Sequence, residues 1–352
     1  MLSGKKIRVL VVDDSMLFRK LLIDNLSQKP MIQIAGYAVD AFDAQNKIAQ
    51  LKPDVVTCDV EMPRMSGIDF VKRVLPKYPV PIILVSSLNL SVFDALQAGA
   101  VDFVRKPDMT RNNNVASFIN GLAGKISIAS RAKVRVPGTA SALPTMPKGS
   151  ASLTCNMSAL SQNNTVIAIG ASTGGTEATL EVVRNLPANT PGIVVTQHMP
   201  EGFTKMYAER LNRICKMEAK EAENGDKIQK GRILVAPGNL QMRVVRVGVS
   251  YTVSCASGPK VSGHRPSVDV LFQSMASSVG KNGIGIILTG MGKDGAAGLL
   301  EMRKRGAYTI GQDKDSCVVY GMPMVAHNIG AVCQQASCAN IANVLLNHLN
   351  KL

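Results

Sequence analysis

The sequence alternates short apolar runs with stretches of helical periodicity, in two blocks that flank a segment with neither pattern. In the first block the apolar runs are Ile7–Val12, Ile32–Ala35, Asp54–Cys58, Ile82–Val85 and Asp102–Val104. Residues at helical spacing lie between these runs, and a closing helix is expected over about Asn114–Ile128. Strands that alternate with helices in this way predict a doubly wound α/β domain with a parallel, flavodoxin-like sheet.

The second block repeats the alternation and predicts a second parallel α/β sheet, Rossmann-like in class. Its apolar runs are Val166–Ile169, Ile193–Thr196, Ile233–Ala236, Ile284–Leu288 and Tyr308–Ile310, and Val244–Val253 is expected to form a β-hairpin insertion. Between the blocks, residues 129–163 are rich in Ala, Ser, Thr and Pro and lack acidic residues, which is typical of a flexible linker. We therefore expect domains over residues 1–128 and 164–352, joined by a linker over 129–163.

Composition limits the class of partner. The 352 residues carry a net charge of +15, but no dense run of lysine and arginine resembles a recognition helix. Aromatic residues make up only 4% of the chain, too few for a base-stacking platform, so we expect no nucleic-acid partner. Because no apolar run approaches the ~20 residues of a membrane span and the N-terminus lacks a signal-peptide pattern, we expect a cytoplasmic protein without membrane insertion. The 7 cysteines form no CxxC pair, which favours reduced thiols over disulfides or a zinc site.

Polar side chains follow four predicted strands of the first block. Asp13 and Asp14 come after the first strand and Asp59 after the third, and any one of these acids alone would be better explained as a helix N-cap. Ser86 and Lys106, however, follow the fourth and fifth strands, whose carboxyl ends meet at the same sheet edge. Converging carboxylates with a hydroxyl and an ammonium group indicate a phosphoryl-accepting aspartate that needs a divalent cation such as Mg²⁺.

This block resembles the response-regulator receiver domain over about residues 5–128. The matching stretches are Asp13-Asp14, Asp59-Val-Glu-Met-Pro-Arg-Met-Ser-Gly67, Val85-Ser86-Ser87 and Phe103-Val-Arg-Lys106-Pro107. The resemblance implies that Asp59 accepts a phosphoryl group from the phosphohistidine of a histidine kinase. The other roles that it implies are Mg²⁺ binding with help from Asp13 and Asp14, a phosphoryl contact from Lys106, and a switch pair formed by Ser86 and Phe103.

A serine lies in a glycine-rich turn at the start of the second block. The apolar run from Val166 leads into Gly170-Ala-Ser172-Thr-Gly174, and a helical segment follows from Glu177. A serine on a tight strand-to-helix turn exposes its hydroxyl at the sheet edge, where backbone N–H groups at the helix start can face an oxyanion. The G-x-S-x-G spacing alone is a weak match in a chain with 30 glycines. Placed between an apolar strand and a helix, it fits a nucleophile and a structural glycine turn equally well.

A nucleophilic serine needs a base, and the chain has 4 histidines. His348 lies in the polar tail and His327 in an expected helix. His198 directly follows a predicted strand and therefore shares a sheet edge with Ser172. We expect His198 to be the base, with His264 as the runner-up.

The orienting acid is expected to be Asp294, which follows the predicted strand Ile284–Leu288 through a short glycine-containing turn. Asp269 and Asp313 do not clearly follow a predicted strand. A chain order of serine, histidine and acid differs from that of the α/β-hydrolases, which disfavours that fold. It does not disfavour the chemistry, because triads recur on unrelated folds.

The second block resembles the catalytic domain of the CheB family of chemotaxis protein-glutamate methylesterases, over about residues 164–348. The matching stretches are Gly170-Ala-Ser172-Thr-Gly-Gly175, Gln197-His198-Met-Pro200, Ala236-Pro-Gly238, Gly263-His-Arg-Pro-Ser-Val-Asp269, Leu288-Thr-Gly-Met-Gly-Lys-Asp294-Gly and Tyr320-Gly-Met-Pro323. The resemblance implies a triad of Ser172, His198 and Asp294, with the backbone N–H of Met291 in the oxyanion hole. It assigns no role to His264.

Together the two resemblances imply a phosphorylation-activated esterase that removes methyl groups from glutamyl γ-methyl esters on chemoreceptors and releases methanol. The same acyl chemistry permits deamidation of glutamine. Chemotaxis receptors are then the substrates, a chemotaxis histidine kinase is the phosphodonor, and the esterase step needs no cofactor.

Two functions from other classes compete with this interpretation. One is a response regulator whose second domain binds a partner without catalysis, which a missing serine or histidine would have favoured. The other is a DNA-binding output domain, which would need the basic recognition helix that the sequence lacks. The intact set of serine, histidine and acid favours the esterase.

Overall fold

The computed structural model describes residues 5–87, 91–107, 114–134, 136 and 164–352. The chain divides into two compact units, with the division between Pro147 and Lys148. The predicted linker over 129–163 lies outside the described residues except for residues 129–134 and 136.

The first unit is a five-stranded parallel sheet with α-helices between its strands. Its elements are β1 (Ile7–Val12), α1 (Met16–Ser27), β2 (Ile32–Ala38), α2 (Ala41–Leu51), β3 (Val55–Asp59), α3 (Gly67–Val74), β4 (Ile82–Ser86), α4 (Ser91–Gln97), β5 (Asp102–Arg105) and α5 (Asn114–Ala129). The strand order β2-β1-β3-β4-β5 is the doubly wound, flavodoxin-like order that the sequence predicts. Every residue of β3 and β4 is buried, as expected for central strands that helices cover on both faces.

The second unit contains a seven-stranded parallel sheet and a small antiparallel sheet. Its elements begin with β6 (Val166–Ala171), α6 (Gly175–Val183), β7 (Ile193–Gln197), α7 (Phe203–Ile214), β8 (Glu218–Glu221), β9 (Lys227–Ile228), β10 (Arg232–Val235), β11 (Gln241–Val247) and β12 (Ser250–Ala256). They continue with α8 (Val268–Ser278), β13 (Gly283–Ile287), α9 (Ala296–Lys304), β14 (Tyr308–Gln312), α10 (Met322–Asn328), β15 (Gln334–Ala336) and α11 (Cys338–Leu349). The orders are β15-β14-β13-β6-β7-β10-β8 and β11-β12-β9.

The order of the large sheet determines where a ligand can bind. On one side of β6 lie β7, β10 and β8, in that spatial order, and the chain then returns to add β13, β14 and β15 on the other side. The reversal leaves a crevice beyond the carboxyl ends of β6 and β13, because the connections that leave these strands diverge to opposite sides. Two of the predicted triad residues, Ser172 and Asp294, follow these two strands.

All ten predicted strands occur in the structure, and Val244–Val253 lies in the hairpin formed by β11 and β12. One expectation about strand ends was wrong. Because β14 continues to Gln312, Asp313 directly follows a strand at its carboxyl end. Its carboxylate, however, accepts hydrogen bonds from the backbone N–H (2.9 Å) and the hydroxyl (2.7 Å) of Ser316, so it caps a local turn.

Candidate active site and candidate metal centre

The glycine-rich turn after β6 places Ser172 at the carboxyl end of a buried central strand. The turn closes with a hydrogen bond from Gly175 N–H to the Ser172 carbonyl (2.7 Å), and Gly174 has φ +75°, a conformation that favours glycine. Gly290, after β13, approaches the serine so closely that a Cβ there would lie 2.6 Å from Ser172 Cβ. Two glycines therefore allow this tight packing around the serine.

His198 lies beside this turn because β7 pairs with β6 in parallel. The last registered pair is Ala171 with Gln197, and the backbone N–H of His198 donates to the Ala171 carbonyl (3.1 Å). Ser172 and His198 are the next residues on the two strands. The shared sheet edge expected for the serine and the histidine is therefore present.

The imidazole of His198 is hydrogen-bonded to Asp294. Nε2 lies 2.7 Å from Asp294 Oδ2, and the two side chains are only 7% and 1% exposed. Among the described residues, the other ring nitrogen, Nδ1, is buried without a hydrogen-bond partner. Since Asp294 can only accept while it is ionised, the neutral ring carries its proton on Nε2 and presents Nδ1 as the basic nitrogen.

The N-terminus of α8 holds the Asp294 carboxylate from the other side. Ser267 Oγ donates to Oδ1 (2.7 Å), and the backbone N–H groups of Val268 and Asp269 donate to Oδ2 (2.8 Å) and Oδ1 (3.1 Å). Burial by itself raises the pKa of Asp294. The hydrogen bond from His198, the charge that its ring carries when protonated, the Ser267 hydroxyl and the Val268 N–H together outweigh burial. They hold this pKa below its usual value, so the carboxylate stays ionised.

Asp269 is the acid that was not preferred as the orienting residue from the sequence, and its backbone N–H donates to the Asp294 carboxylate. Its own carboxylate accepts from the Gly298 N–H (2.8 Å). Burial is the largest effect on the pKa of Asp269 and raises it; the Gly298 N–H lowers this pKa, the Asp294 charge raises it further, and the net shift is upward. The pKa values of the two acids are therefore shifted in opposite directions, and Asp294, whose pKa is lowered, is the one paired with a histidine.

The loop after β13 carries Met291, the residue expected to contribute an oxyanion donor. Gly290 is fixed by hydrogen bonds from its N–H to the Val319 carbonyl (3.0 Å) and from Met322 N–H to its carbonyl (2.7 Å). Within the described part of the chain, the Met291 N–H makes no hydrogen bond. This N–H is therefore available to a ligand, next to the glycine that packs against Ser172.

The other three histidines occupy different environments. His264 stacks on His198, with ring centroids 3.6 Å apart and an interplanar angle of 5°. His327 is exposed in the last turn of α10, and His348, in α11, stacks on Tyr308. The runner-up base thus contacts the preferred one face to face.

Sequence reasoning assigned no role to the residues that hold these groups in place. Ser267 occupies the N-cap position of α8, and Gln197 Nε2 donates to the Ser172 carbonyl (2.8 Å). Gln241, buried in β11, accepts from Ser267 N–H (2.8 Å). An N-cap serine before an apolar helical run was a signal for Ser267, but a glutamine in a strand gives no comparable signal.

In the first unit, three carboxylates converge at the carboxyl ends of β1 and β3. Each of Asp13, Asp14 and Asp59 offers one oxygen, and these oxygens all lie within 4.8 Å of one another. Asp13 and Asp59 are buried, whereas Asp14 is exposed. Oxygen ligands in this number suit a hard divalent cation that keeps part of its water shell, as Mg²⁺ does.

Lys106, after β5, donates a hydrogen bond to Asp59 and forms ion pairs with both Asp59 and Asp13. Nζ lies 2.6 Å from Asp59 Oδ2 and 3.1 Å from Asp13 Oδ2. Burial alone would lower the pKa of Lys106, but the hydrogen bond to Asp59 and the charges of both acids raise it. Burial raises the pKa values of Asp13 and Asp59, and Lys106 lowers them, but both pKa values stay above their usual range. One ammonium group therefore does not fully stabilise the negative charge of the buried carboxylates. A divalent cation would supply the missing positive charge.

The two residues expected to form a switch pair lie on neighbouring strands, β4 and β5. Ser86 is buried, and in the described residues its hydroxyl has no hydrogen-bond partner; its carbonyl accepts from Lys106 N–H (2.7 Å). Phe103 is 4% exposed and packs edge-to-face against Phe93 of α4, with centroids 6.3 Å apart. The hydroxyl is therefore available to a new acceptor, while the aromatic ring faces inward.

Among the helices in the part of the chain that the structure describes, none combines the length and the apolar character that a membrane span requires.

Comparison with known proteins gives matches to both halves of the chain. Residues 167–345 match the family described as CheB methylesterase, and residues 9–114 match the response regulator receiver domain. Two similar relatives are both called protein-glutamate methylesterase/protein-glutamine glutaminase. One, from Syntrophomonas wolfei, is 52% identical over 99% of both chains; the other, from Syntrophotalea carbinolica, is 47% identical over 99% of both chains.

A solved structure resembles the second unit. The CheB methylesterase catalytic domain of Thermotoga maritima is 34% identical in sequence and superposes with a TM-score of 0.52. The match covers 98% of that chain and 53% of this one.

Proposed function

This chain belongs to the CheB methylesterase family, with a receiver domain ahead of the esterase domain, and we propose that Ser172, His198 and Asp294 form its catalytic triad. It is a phosphorylation-regulated hydrolase of the protein-glutamate methylesterase and protein-glutamine glutaminase class. The observation that carries the proposed triad is the 2.7 Å hydrogen bond between His198 Nε2 and Asp294, at the sheet edge that Ser172 shares.

The proposed reaction begins with attack of Ser172 Oγ on the carbonyl carbon of a glutamyl γ-methyl ester. Nδ1 of His198 takes the serine proton, and ionised Asp294 stabilises the imidazolium that forms. The imidazolium then returns the proton to the departing methoxide, which leaves as methanol. Water, deprotonated by the same nitrogen, hydrolyses the γ-glutamyl-serine ester and regenerates the free serine and a glutamate carboxylate.

A glutamine side chain can follow the same path. Its amide nitrogen receives the proton from His198 and leaves as ammonia, and the same acyl-serine forms. No cofactor is needed in this proposal, because the triad itself supplies the nucleophile, the base and the acid.

The backbone N–H of Met291 is proposed as an oxyanion donor. A donor that is fixed in advance stabilises the negative charge that develops on the carbonyl oxygen without reorganising in the reaction. The support is the unbonded N–H on a loop that Val319 and Met322 hold against the serine turn.

In the receiver domain we propose Asp59 as the residue that accepts a phosphoryl group, with Asp13, Asp14 and Asp59 as the Mg²⁺ ligands. The bound cation would neutralise charge on the carboxylates and on the phosphoryl oxygens. Lys106, which bonds Asp59, is positioned to contact a phosphoryl oxygen on that residue. The buried, unpartnered hydroxyl of Ser86 suits a hydrogen bond to the same group, and Phe103 is its proposed switch partner.

The proposed partners follow from the family. Methylated chemoreceptors supply the substrate esters, and a chemotaxis histidine kinase supplies the phosphoryl group. We place the protein in the cytoplasm, without a nucleic-acid partner, and retain domains over residues 1–128 and 164–352 with a linker over 129–163.

The test is release of labelled methanol from membranes that carry chemoreceptors methylated with tritiated methyl groups. The wild-type chain and the variants Ser172→Ala, His198→Ala and His327→Ala are compared, with melting curves as a check on folding. We expect the first two variants to lose activity and His327→Ala, an exposed histidine of the same domain, to retain it. Full activity in Ser172→Ala would show that another residue is the nucleophile.

A further inference from the structure

We propose that His264 is a positioning residue that fixes the plane of the His198 imidazole and thereby aims Nδ1 for proton transfer. The two rings stack with centroids 3.6 Å apart and planes within 5° of parallel. The inference rests on the proposed function, in which His198 is the base.

The His198 ring needs a contact on its face because the side chain is held at only two points, which leaves rotation about the line between them free. The side chain is attached at Cβ and is held at its far end by the hydrogen bond from Nε2 to Asp294 (2.7 Å). The ring can still tilt about the line that joins these two points, and the tilt moves Nδ1. In the described residues no hydrogen bond fixes Nδ1. A flat group against the ring face opposes this tilt.

His264 is presented by a backbone that is itself held in place. Its N–H and carbonyl exchange hydrogen bonds with Val261 (2.9 and 3.0 Å), and the side-chain amide of Gln241 donates to its carbonyl (3.2 Å). The next residue, Arg265, donates to the Gly258 carbonyl (2.6 Å). Hydrogen bonds therefore fix the loop that carries His264, and its ring can act as a rigid surface against the His198 ring.

The same segment also positions the acid of the triad. Gln241, which binds the His264 carbonyl through its nitrogen, accepts from the Ser267 N–H through its oxygen (2.8 Å). Ser267 in turn donates to Asp294 (2.7 Å). One short loop thus holds the face of the base and the carboxylate that pairs with it.

The proposed role needs a flat aromatic face at position 264 and no proton transfer by that residue. When His198 becomes an imidazolium, a neutral aromatic face against it also stabilises the positive charge. Phenylalanine at position 264 supplies such a face, whereas leucine fills a similar volume without one. This difference separates ring stacking from simple filling of space.

The experiment measures kcat and KM for methanol release from tritium-methylated receptor membranes with His264→Ala, His264→Leu and His264→Phe. His327→Ala is the control, and melting curves check the fold of each variant. We expect kcat to fall about tenfold in His264→Ala and His264→Leu, with KM nearly unchanged, because a misdirected base slows chemistry more than binding. His264→Phe should recover kcat to within about threefold of wild type.

Three results would overturn the inference. They are a kcat for His264→Ala within about threefold of wild type, an equal loss in the Ala and Phe variants, and a change confined to KM. The same assay on His198→Ala separates this inference from the proposed function. Wild-type activity in His198→Ala contradicts the triad, whereas loss there without loss in His264→Ala contradicts only the role of His264.

Discussion

Ser172 and His198 are proposed to act as one unit, so removing either side chain should cost nearly the same. We expect Ser172→Ala and His198→Ala each to lower kcat for methanol release by at least about a thousandfold, because the nucleophile and its base cannot substitute for each other. His264→Ala should be much milder, since that ring positions the base without exchanging a proton. A larger loss in His264→Ala than in His198→Ala would reverse the assignment of the base.

Asp13 gives a prediction about stability. Burial and the Asp59 charge, opposed by Lys106, raise the pKa of Asp13 above its usual 3.8. A carboxyl whose pKa is raised on folding costs stability as the pH rises through that raised pKa, and costs nothing well below 3.8. Asp13→Asn should therefore stabilise the metal-free receiver domain at neutral pH, and the gain should shrink as the solution is acidified.

Chemical denaturation in EDTA, at neutral and at acidic pH, measures this difference. Addition of Mg²⁺ should stabilise the wild-type domain and narrow its gap to Asp13→Asn, because the cation compensates the same charges. Asp24→Asn, in α1, is the control substitution of an aspartate outside the cluster. A variant that is less stable than wild type in EDTA at neutral pH would contradict the account.

Single residues show how much of the site the sequence predicts. The positions of Ser172, His198, Asp59 and Lys106 could be predicted because each lies at or just beyond the carboxyl end of a strand, and parallel strands bring these ends to one edge. The pairing of Nε2 with Asp294 and the stacking of His264 could not, because both depend on how loops fold back over that edge. The direction of a side chain in a loop depends on tertiary hydrogen bonds, and these do not produce a periodic pattern of residues in the sequence.

At the scale of elements, the N-terminus of α8 is the support of the triad acid. Ser267 caps this helix through Val270 N–H (3.4 Å) and also donates to Asp294 (2.7 Å). Ser267→Ala should cost about 1 kcal/mol of stability, as the loss of an N-cap does. It should also lower kcat about tenfold, because Asp294 loses one of the donors that fix it.

A matched control exists in α11, where Ser337 occupies the N-cap position but makes no hydrogen bond to the helix through its side chain. Ser337→Ala should leave both stability and kcat close to wild type. Denaturation and methanol-release assays on both variants provide the test. Equal kcat values in the two serine variants would mean that Ser267 does not support Asp294.

The three strands that were not predicted from the sequence, β8, β9 and β15, all lie at the edge of a sheet. The strands β8 (Glu218–Glu221) and β15 (Gln334–Ala336) lie at the two edges of the large sheet, and β9 is 2 residues long. An edge strand is covered less completely than a central one, so it needs no apolar run and acquires its conformation from pairing with its neighbour. Central strands such as β6 and β13 are buried throughout, and their apolar runs are therefore visible in the sequence.

For the whole molecule, the prediction concerns regulation of one domain by the other. A fragment of residues 156–352 should hydrolyse receptor methyl esters, exceed the resting full-length chain and show no response to a phosphodonor. The reason is that the fragment retains Ser172, His198 and Asp294 but lacks Asp59. If the receiver restrains the esterase in nine molecules of ten, release of restraint gives at most about tenfold activation. A fragment that is less active than the resting chain would mean that the receiver only assists catalysis.

The central claim is that phosphorylation at Asp59 controls ester hydrolysis at Ser172, and one measurement tests it most directly. Methanol release from tritium-methylated receptor membranes is followed with Mg²⁺, with and without a small acyl-phosphate donor, for wild type, Asp59→Ala and Ser172→Ala. We predict stimulation by the donor in wild type, an unstimulated basal rate in Asp59→Ala, and no release above background in Ser172→Ala. Equal stimulation of Asp59→Ala, or release by Ser172→Ala at the wild-type rate, would contradict the account.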